Sequence, residues 1–510
     1  MRIDIVTRES AFERTFSNIV HLFFEEAEVN VVTPEHTNDS EKSDMTIALM
    51  YERTGGGRLE AAAALDVEAE RRRFTASHTR TTEAKEDDEA VRKHVKQAMC
   101  HVLLHVLQQY TGIVQPWGIL TGIRPTKLLH GALQQGLSKE NAHRTLREQY
   151  LVDRGKIELM QQIVDRQLTM IPDLYALKNE VSIYIGIPFC PTKCAYCTFP
   201  AYDINGRQGS VHSFLGGLHY EMREIGRWLR ERGISVTTVY FGGGTPTSIT
   251  AEEMDMLYEE LHSSFPYADR IREITVEAGR PDTITPEKLA VLNKWNIDRI
   301  SINPQSYTQE TLDIIGRHHS VEETVDKFWL AREAGMNNIN MDLIIGLPGE
   351  GIAEFKHTLA ETEKLMPESL TVHTLSFKKA SEMTKHRGDG KYTVAGRSEI
   401  ESMMREAERW TKLHGYVPYY LYRQKNILGN LENVGYAIPG QESLYNILIM
   451  EEMQTIIGLG CGAASKWVDP STGAISRFAN PKEPKAYNDN YEHYTKAKIE
   501  ILEQLFGTKS

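Results

Sequence analysis

Three of the chain's five cysteines, Cys190, Cys194 and Cys197, fall within eight positions in the spacing C-x3-C-x2-C. Pro188 and Pro200 flank the run, and the segment Pro191-Thr192-Lys193 is polar, so three incidental core cysteines describe it poorly. Three thiolates on one tight loop can hold three irons of a [4Fe–4S] cube and leave the fourth iron without a protein ligand, as an open reaction site. The competing reading is zinc, but structural zinc takes four ligands, and no second C-x2-C or suitably spaced His pair follows. Cys100 and Cys461 stand apart and read as buried small hydrophobes.

A glycine run, Gly242-Gly243-Gly244-Thr245-Pro246-Thr247, follows the apolar stretch Val236–Phe241. Glycine permits φ > 0 and close approach to backbone, so the run reads either as a plain turn or as a cradle beside the open iron. Gly458-Leu459-Gly460-Cys461-Gly462-Ala463 imitates a dinucleotide fingerprint, with no convincing βαβ unit around it. Asp342 opens the apolar run to Pro348, where an unpartnered carboxylate is expensive to bury. A ribose hydroxyl pair or a structural hydrogen bond would satisfy it.

The cysteine spacing, with Tyr196 before the last cysteine, resembles the radical S-adenosylmethionine (SAM) superfamily. The resemblance implies that SAM chelates the fourth iron through its amine and carboxylate. One electron from the cluster then cleaves it to methionine and a 5′-deoxyadenosyl radical, which takes a substrate hydrogen. The fuller strings Tyr184-Ile185-Gly186-Ile187-Pro188-Phe189-Cys190, Tyr196-Cys197-Thr198-Phe199 and Gly242–Thr247 are similar to the oxygen-independent coproporphyrinogen-III oxidase group, from about Val181 to Ala464. The segment Trp117-Gly118-Ile119-Leu120-Thr121-Gly122-Ile123-Arg124-Pro125 looks most like the HemZ branch of that group.

This resemblance implies cluster ligation by Cys190, Cys194 and Cys197, with Tyr184 and Tyr196 near cluster and SAM. It places Gly243, Gly244 and Thr245 at the SAM methionine end, and makes Glu277, Gln305, Arg317 and Asp342 polar SAM contacts. It also implies a tetrapyrrole substrate, coproporphyrinogen III, whose two propionates lose CO2 to become vinyls, and a reducing protein such as flavodoxin or ferredoxin. No catalytic side chain is assigned. The oxidases carry a further cysteine two residues past the third ligand, where this chain has Phe199, which puts a second SAM in doubt. The haem-chaperone branch (HemW type) also has Phe there, but its His-Asn-x-x-Tyr-Trp segment is replaced by Ser443-Leu444-Tyr445-Asn446-Ile447. A haem chaperone and a radical SAM enzyme with another substrate are therefore the alternatives. A substrate with four carboxylates needs cations, and the candidates are Arg280, His318, Lys378 and Lys379.

The elements that must position these residues follow a strand–helix rhythm. Strands are expected at Val181–Ile187, Val236–Phe241, Glu273–Glu277, Arg299–Ile302, Asn338–Ile345 and Ser369–Ser376. Helices fill Ser213–Arg232, Glu252–Ser263, Pro286–Lys294, Val321–Ala334 and Ile352–Leu365. Repeated units of this kind demand parallel strands with right-handed crossovers. Six units fit a partial (β/α)6 radical SAM barrel, an α/β fold, although periodicity alone does not separate six strands from eight. The candidate residues lie beyond the strands' C-terminal ends, where such sheets place their sites.

Before this core, residues 1–175 read as an α+β and helical extension. Its strands are expected at Arg2–Val6, Val29–Val32 and Met45–Tyr51, with a helix over Phe12–Glu26. Thr33–Asp44 and Glu68–Asp88 lack apolar periodicity and read as loops or solvated faces. Residues 176–378 form the barrel, and 379–510 a C-terminal accessory domain or lid. With 58 basic against 70 acidic side chains, the net charge of −12 argues against a nucleic-acid partner. No apolar stretch reaches the ~18–20 residues of a membrane span, and Met1–Ile5 does not open a signal peptide, so a cytoplasmic protein is expected.

Overall fold

The computed structural model describes the chain apart from residues 37–42, 55–56, 82–86, 123, 205–209, 378–380, 387–391, 425–430 and 508–510. It divides into two compact units, Met1–Gln162 and Ile163–Ser510, and the division falls inside the helix Arg154–Met170.

The first unit is built on β1 (Arg2–Val6), β2 (Glu28–Val32), β3 (Met45–Thr54), β4 (Arg58–Val67) and β5 (Arg72–Thr81), in the order β2-β1-β3-β4-β5. The helix between β1 and β2 is shorter than expected, Glu13–Val20. A second helix, Asp88–Thr111, starts on Asp87, whose side chain accepts from Ala90 N–H, and ends at Gly112 in the left-handed region. Its Val95, Leu103 and Leu107 share one core with Ile3, Ile47 and Leu65 of the sheet. Within Glu68–Asp88, read as loop or solvated face, lies the strand β5, with one face exposed. Its half-buried positions are Phe74, Ala76, His78 and Arg80, and three of these are not aliphatic, which hides the period of two. His78 packs on the His101 ring at 4.2 Å, and Arg80 donates to Gln97 at 2.6 Å. Residues 37–42 and 82–86 of the two polar stretches lie outside the described residues, as does Ile123 of the Trp117–Pro125 segment.

In the second unit the chain forms β6 (Val181–Ile187), a short pair β7 (Phe189–Cys190) and β8 (Tyr202–Asp203), then β9 (Val236–Gly243), β10 (Glu273–Glu277), β11 (Arg299–Ser301), β12 (Ile339–Ile345) and β13 (Ser369–Thr374). These are followed by β14 (Val417–Tyr422), β15 (Asn433–Ala437), β16 (Thr455–Gly460), β17 (Ala464–Val468) and β18 (Ile475–Ala479). Among the described residues they make an 11-stranded sheet, β14-β15-β13-β12-β11-β10-β9-β6-β16-β17-β18. The six expected strands lie side by side in chain order, all parallel, and β16 joins parallel to β6. This is the α/β arrangement with a large parallel sheet. β6 and β9 are buried along almost their whole length, but their faces differ: on β6 Val181, Ile183, Ile185 and Ile187 alternate with Ser182, Tyr184 and Gly186.

Residues after 379 supply β14–β18, so the C-terminal part extends the core sheet rather than standing apart as a lid. Its last helix, Tyr491–Phe506, is pinned inside by Lys498, which donates to Glu221 at 2.5 Å and to the Gly458 carbonyl at 2.6 Å. The Gly458–Ala463 fingerprint runs from β16 through a turn into antiparallel β17. A dinucleotide motif needs a helix there, whose N-terminus meets the phosphates, so that reading is excluded.

Candidate active site at the strand ends

The cysteine loop begins where β6 ends. β7 and β8 pair in parallel at its base, and Tyr202 N–H returns to Pro188 O at 2.8 Å. Most of its fixation is backbone. Ala195 N–H donates to Ile315 O at 2.9 Å, Cys197 N–H to Cys194 O at 3.1 Å, and Met383 N–H to Ala195 O at 3.2 Å. Thr192 Oγ1 donates to Gly316 O and accepts from Arg280 Nη1 at 2.8 Å. Cys190 and Cys194 are buried, Cys197 half-buried, and all are free thiols.

Burial pushes the Cys190 thiol up to about 11; the negative fields of Cys197 and Cys194 add to the rise, while a 3.2 Å contact with Thr245 Oγ1 and the Arg280 charge oppose it. The three sulfurs therefore act on one another, and their donor chemistry fits an iron–sulfur cluster. Metal binding requires the thiolate forms, so a bound cluster would displace the thiol protons. Among the described residues no group of three or more His, Cys, Asp or Glu side chains is already arranged around a metal position.

The glycine run lies against this loop. Gly244 N–H donates to Ile187 O at 2.8 Å and Thr245 N–H to Phe189 O at 2.7 Å, so these amides are engaged rather than open to a ligand. Gly243 has φ +108°, and a Cβ on Gly244 would sit 2.5 Å from Phe189 O. The close approach that demands glycine here is to the strand leading into Cys190.

A second group lines the sheet's interior. Tyr184 on β6 and Tyr240 on β9 are register partners, and the Tyr240 hydroxyl donates to Glu277 at 2.6 Å. Burial raises the Glu277 carboxyl to about 7, with the Asp342 charge adding to it; Tyr240 and Gly243 N–H, which both donate to it, oppose the rise. Asp342 is not left unpartnered. Asn303 Nδ2 donates to it at 3.0 Å and Asn340 Nδ2 at 2.9 Å, and His373 Nε2 lies 3.5 Å away. Burial pushes this carboxyl up, but His373, Asn340 and Thr371 outweigh it and hold it below the usual range. Gln305, just past β11, adopts φ +65° and bridges to β12 by Gln305 N–H to Asp342 O and Ile344 N–H to Gln305 O, both 3.0 Å. Its Oε1 is buried without a partner.

Arg317 links the two groups. Its Nη1 donates to the Tyr196 hydroxyl at 3.3 Å, and its Nη2 to Gly279 O at 2.6 Å and Asn303 O at 2.9 Å, while Nε is buried and unpartnered. Of the candidate cations, Arg280 is already committed in a fork to Asp282 (3.0 and 2.8 Å), and His318 is exposed. Lys378 and Lys379 lie outside the described residues. Cys100 and Cys461 are buried, each thiol pushed up to about 12 by burial. Sequence reasoning missed Tyr240, Asn303 and His373. The one signal available was parity, since Tyr240 shares the inward face of β9 with Gly242.

A cysteine triad at the mouth of a parallel α/β sheet, beside a carboxylate-lined interior, defines the class. Residues 184–361 match the Radical SAM superfamily model, and the solved coproporphyrinogen III oxidase (HemN) from Escherichia coli shares the fold, with a TM-score of 0.50 and 22% identity over 64% of this chain and 73% of that one. The chain is 62% identical to the oxygen-independent coproporphyrinogen-III oxidase-like protein HemZ of Bacillus subtilis, across 98% of this chain and 97% of that protein, and it belongs to that family within the radical SAM enzymes. It is also 28% identical to the haem chaperone HemW of B. subtilis, across 64% of this chain and 82% of that one. Membership implies a [4Fe–4S] cluster and SAM.

Proposed function

We propose that the protein is an oxygen-independent coproporphyrinogen-III oxidase, converting two propionates of coproporphyrinogen III to vinyls and yielding protoporphyrinogen IX. The observation that carries this reading is the similarity to the HemZ protein along nearly the whole chain, including the segment before the radical SAM domain. Each round removes one hydrogen atom from a propionate β-carbon, one CO2 and one further electron. When bound, the cluster supplies the electron for reductive cleavage of SAM, which provides the hydrogen-abstracting equivalent.

In this reading Cys190, Cys194 and Cys197 hold three irons. Tyr184, Tyr196, Gly243, Gly244, Thr245, Glu277, Gln305, Arg317 and Asp342 surround SAM. The unpartnered Gln305 Oε1 and Arg317 Nε, one acceptor and one donor in buried ground, support a polar ligand there. Residues 176–378 then carry the chemistry, with 1–175 as an extension and 379–510 as an accessory part. The electron comes from a reducing protein of the flavodoxin or ferredoxin kind in the cytoplasm. No helix among the described residues is long and apolar enough to cross a membrane.

The second reading, a haem chaperone, is favoured by Phe199 and the HemW relatives. Anaerobic incubation of reconstituted protein with SAM, reductant and coproporphyrinogen III decides between them. Mass spectrometry should show successive loss of one and two HCOOH equivalents, with deoxyadenosine formed alongside. Stoichiometric haem binding with no decarboxylation, whatever electron acceptor is supplied, would favour the chaperone.

A further inference from the structure

Glu277 is held by more than its own strand. Tyr240 donates to it at 2.6 Å, and Gly243, from the glycine run, donates its N–H. The Tyr240 ring stacks on Tyr184 at 6.2 Å and 15°, and on Tyr445 at 4.5 Å and 22°. Tyr445 belongs to the helix Leu444–Glu451, and that helix is tied to the start of the same strand that ends in Glu277. Glu273, the first residue of β10, accepts from Ser443 Oγ at 2.8 Å and from the N–H groups of Leu444 and Tyr445 at 3.0 and 3.1 Å. A carboxylate at a helix N-terminus is a stable anchor, because it meets the open amides and the positive end of the dipole. β10 therefore fixes at its beginning the helix that carries Tyr445, and presents at its end the carboxylate that Tyr240 touches. If the column served packing alone, phenylalanine at 240 would stack as well and bury no hydroxyl.

We propose that Tyr240, backed by Tyr445, is a positioning residue that keeps the Glu277 carboxylate aimed at bound SAM, an inference that rests on the SAM reading above. The groups facing Glu277 are Tyr240 and the Gly243 N–H from β9, Tyr184 from β6, Tyr445 from the helix below and Asp342 from β12. Burial and Asp342 favour the protonated acid, and the Tyr240 hydrogen bond favours the carboxylate. SAM offers hydroxyl and amine donors, so its affinity falls as pH drops through the Glu277 titration. Removing the Tyr240 hydroxyl moves that fall to higher pH.

The test uses the full-length, anaerobically reconstituted protein, with iron content and SAM affinity measured by equilibrium dialysis from pH 6 to 9. Tyr240→Phe should keep its iron, bind SAM roughly tenfold more weakly at pH 7, and show its affinity midpoint displaced upward. Glu277→Gln, which cannot titrate, should bind weakly with no midpoint near neutrality. Wild-type affinity and midpoint in Tyr240→Phe, or a retained midpoint in Glu277→Gln, overturns the positioning role and leaves the SAM reading standing. A wild-type protein that carries its cluster and binds no SAM at any pH overturns both.

Discussion

The cysteine loop and the sheet interior solve the same problem, holding polar groups in buried ground, by different means. The loop is fixed mainly by main-chain bonds to Ile315 and Met383, with the Thr192 hydroxyl on Gly316 O and Thr245 Oγ1 beside the Cys190 sulfur. The interior is fixed by side chains: Tyr240 on Glu277, and Asn303, Asn340 and His373 around Asp342. If the proposed cluster sits on this backbone frame, loss of one sulfur should remove a ligand outright. A side-chain network shares its load, so loss of one member should have a graded effect.

The largest expected effect separates the two directly. Alanine at Cys190, Cys194 or Cys197 should abolish cluster binding and all SAM cleavage, read as lost iron and a lost reduced-cluster EPR signal. Cys100→Ala and Cys461→Ala should retain both. An equal requirement for a fourth cysteine would break the open-iron reading.

Arg317 belongs to both regions, so its removal should damage both. Arg317→Leu strips donors from Gly279 O, Asn303 O and the Tyr196 hydroxyl, with an expected destabilisation of about 3 kcal/mol. Urea unfolding of the apo-protein measures that loss, and the iron content after reconstitution reports on the loop. A variant with normal stability and full iron would mean that the two regions are held independently.

The regions should also differ in the sign of their pH dependence. Asp282, beside the loop, is raised by burial but held below its usual range by the hydrogen bonds and charge of Arg280. Its contribution is present above the unfolded-state pKa and is lost as pH falls through the folded one. Glu277 runs the other way. Its folded value of about 7 lies above the ordinary 4.5, so it costs stability progressively as pH rises from 4.5 to 7. Relative to wild type, Glu277→Gln should be more stable by up to about 3 kcal/mol at pH 7, with the gain vanishing toward pH 4.5. Asp282→Asn should be less stable at pH 7, and that deficit should shrink in acid. Urea midpoints of apo-protein across pH 4 to 8 give both signs, and a common sign would dissolve the contrast.

The same contrast explains what was legible in the sequence. Val181–Ile187 and Glu273–Glu277 are read at their true limits because each is a short β-branched run, with apolar residues alternating along it, set between turn residues. The cysteine motif stands out because the chemistry it suggests lies in local spacing. Tyr240 and Glu277 stand 37 positions apart, and Tyr445 lies more than 200 beyond Tyr240, so their meeting depends on strand order and inward parity. β4 and β5 were unread for a related reason: alanines in one, and histidine and arginine on the inner face of the other, carry a weak hydrophobic signal.

The smallest expected effect concerns Asp342, and it sharpens the comparison most. Because Asn303, Asn340 and His373 already satisfy this carboxylate, its burial needs no ligand to explain it. His373 as the Nε2–H tautomer can donate to Asp342 while Nδ1 accepts from the Tyr422 hydroxyl at 3.1 Å, so the network closes on itself. If Asp342 also takes a SAM hydroxyl, it does so with acceptor capacity left over from these partners, because a carboxylate has about four lone-pair sites. Asp342→Asn retains the shape and one acceptor oxygen, and should weaken SAM binding by about 1 kcal/mol, near fivefold, with iron content unchanged. Equilibrium titration with SAM measures the difference. An unchanged affinity assigns Asp342 to the side-chain network alone, while a loss beyond a hundredfold would mean that the interior depends on single members as the cysteine loop does.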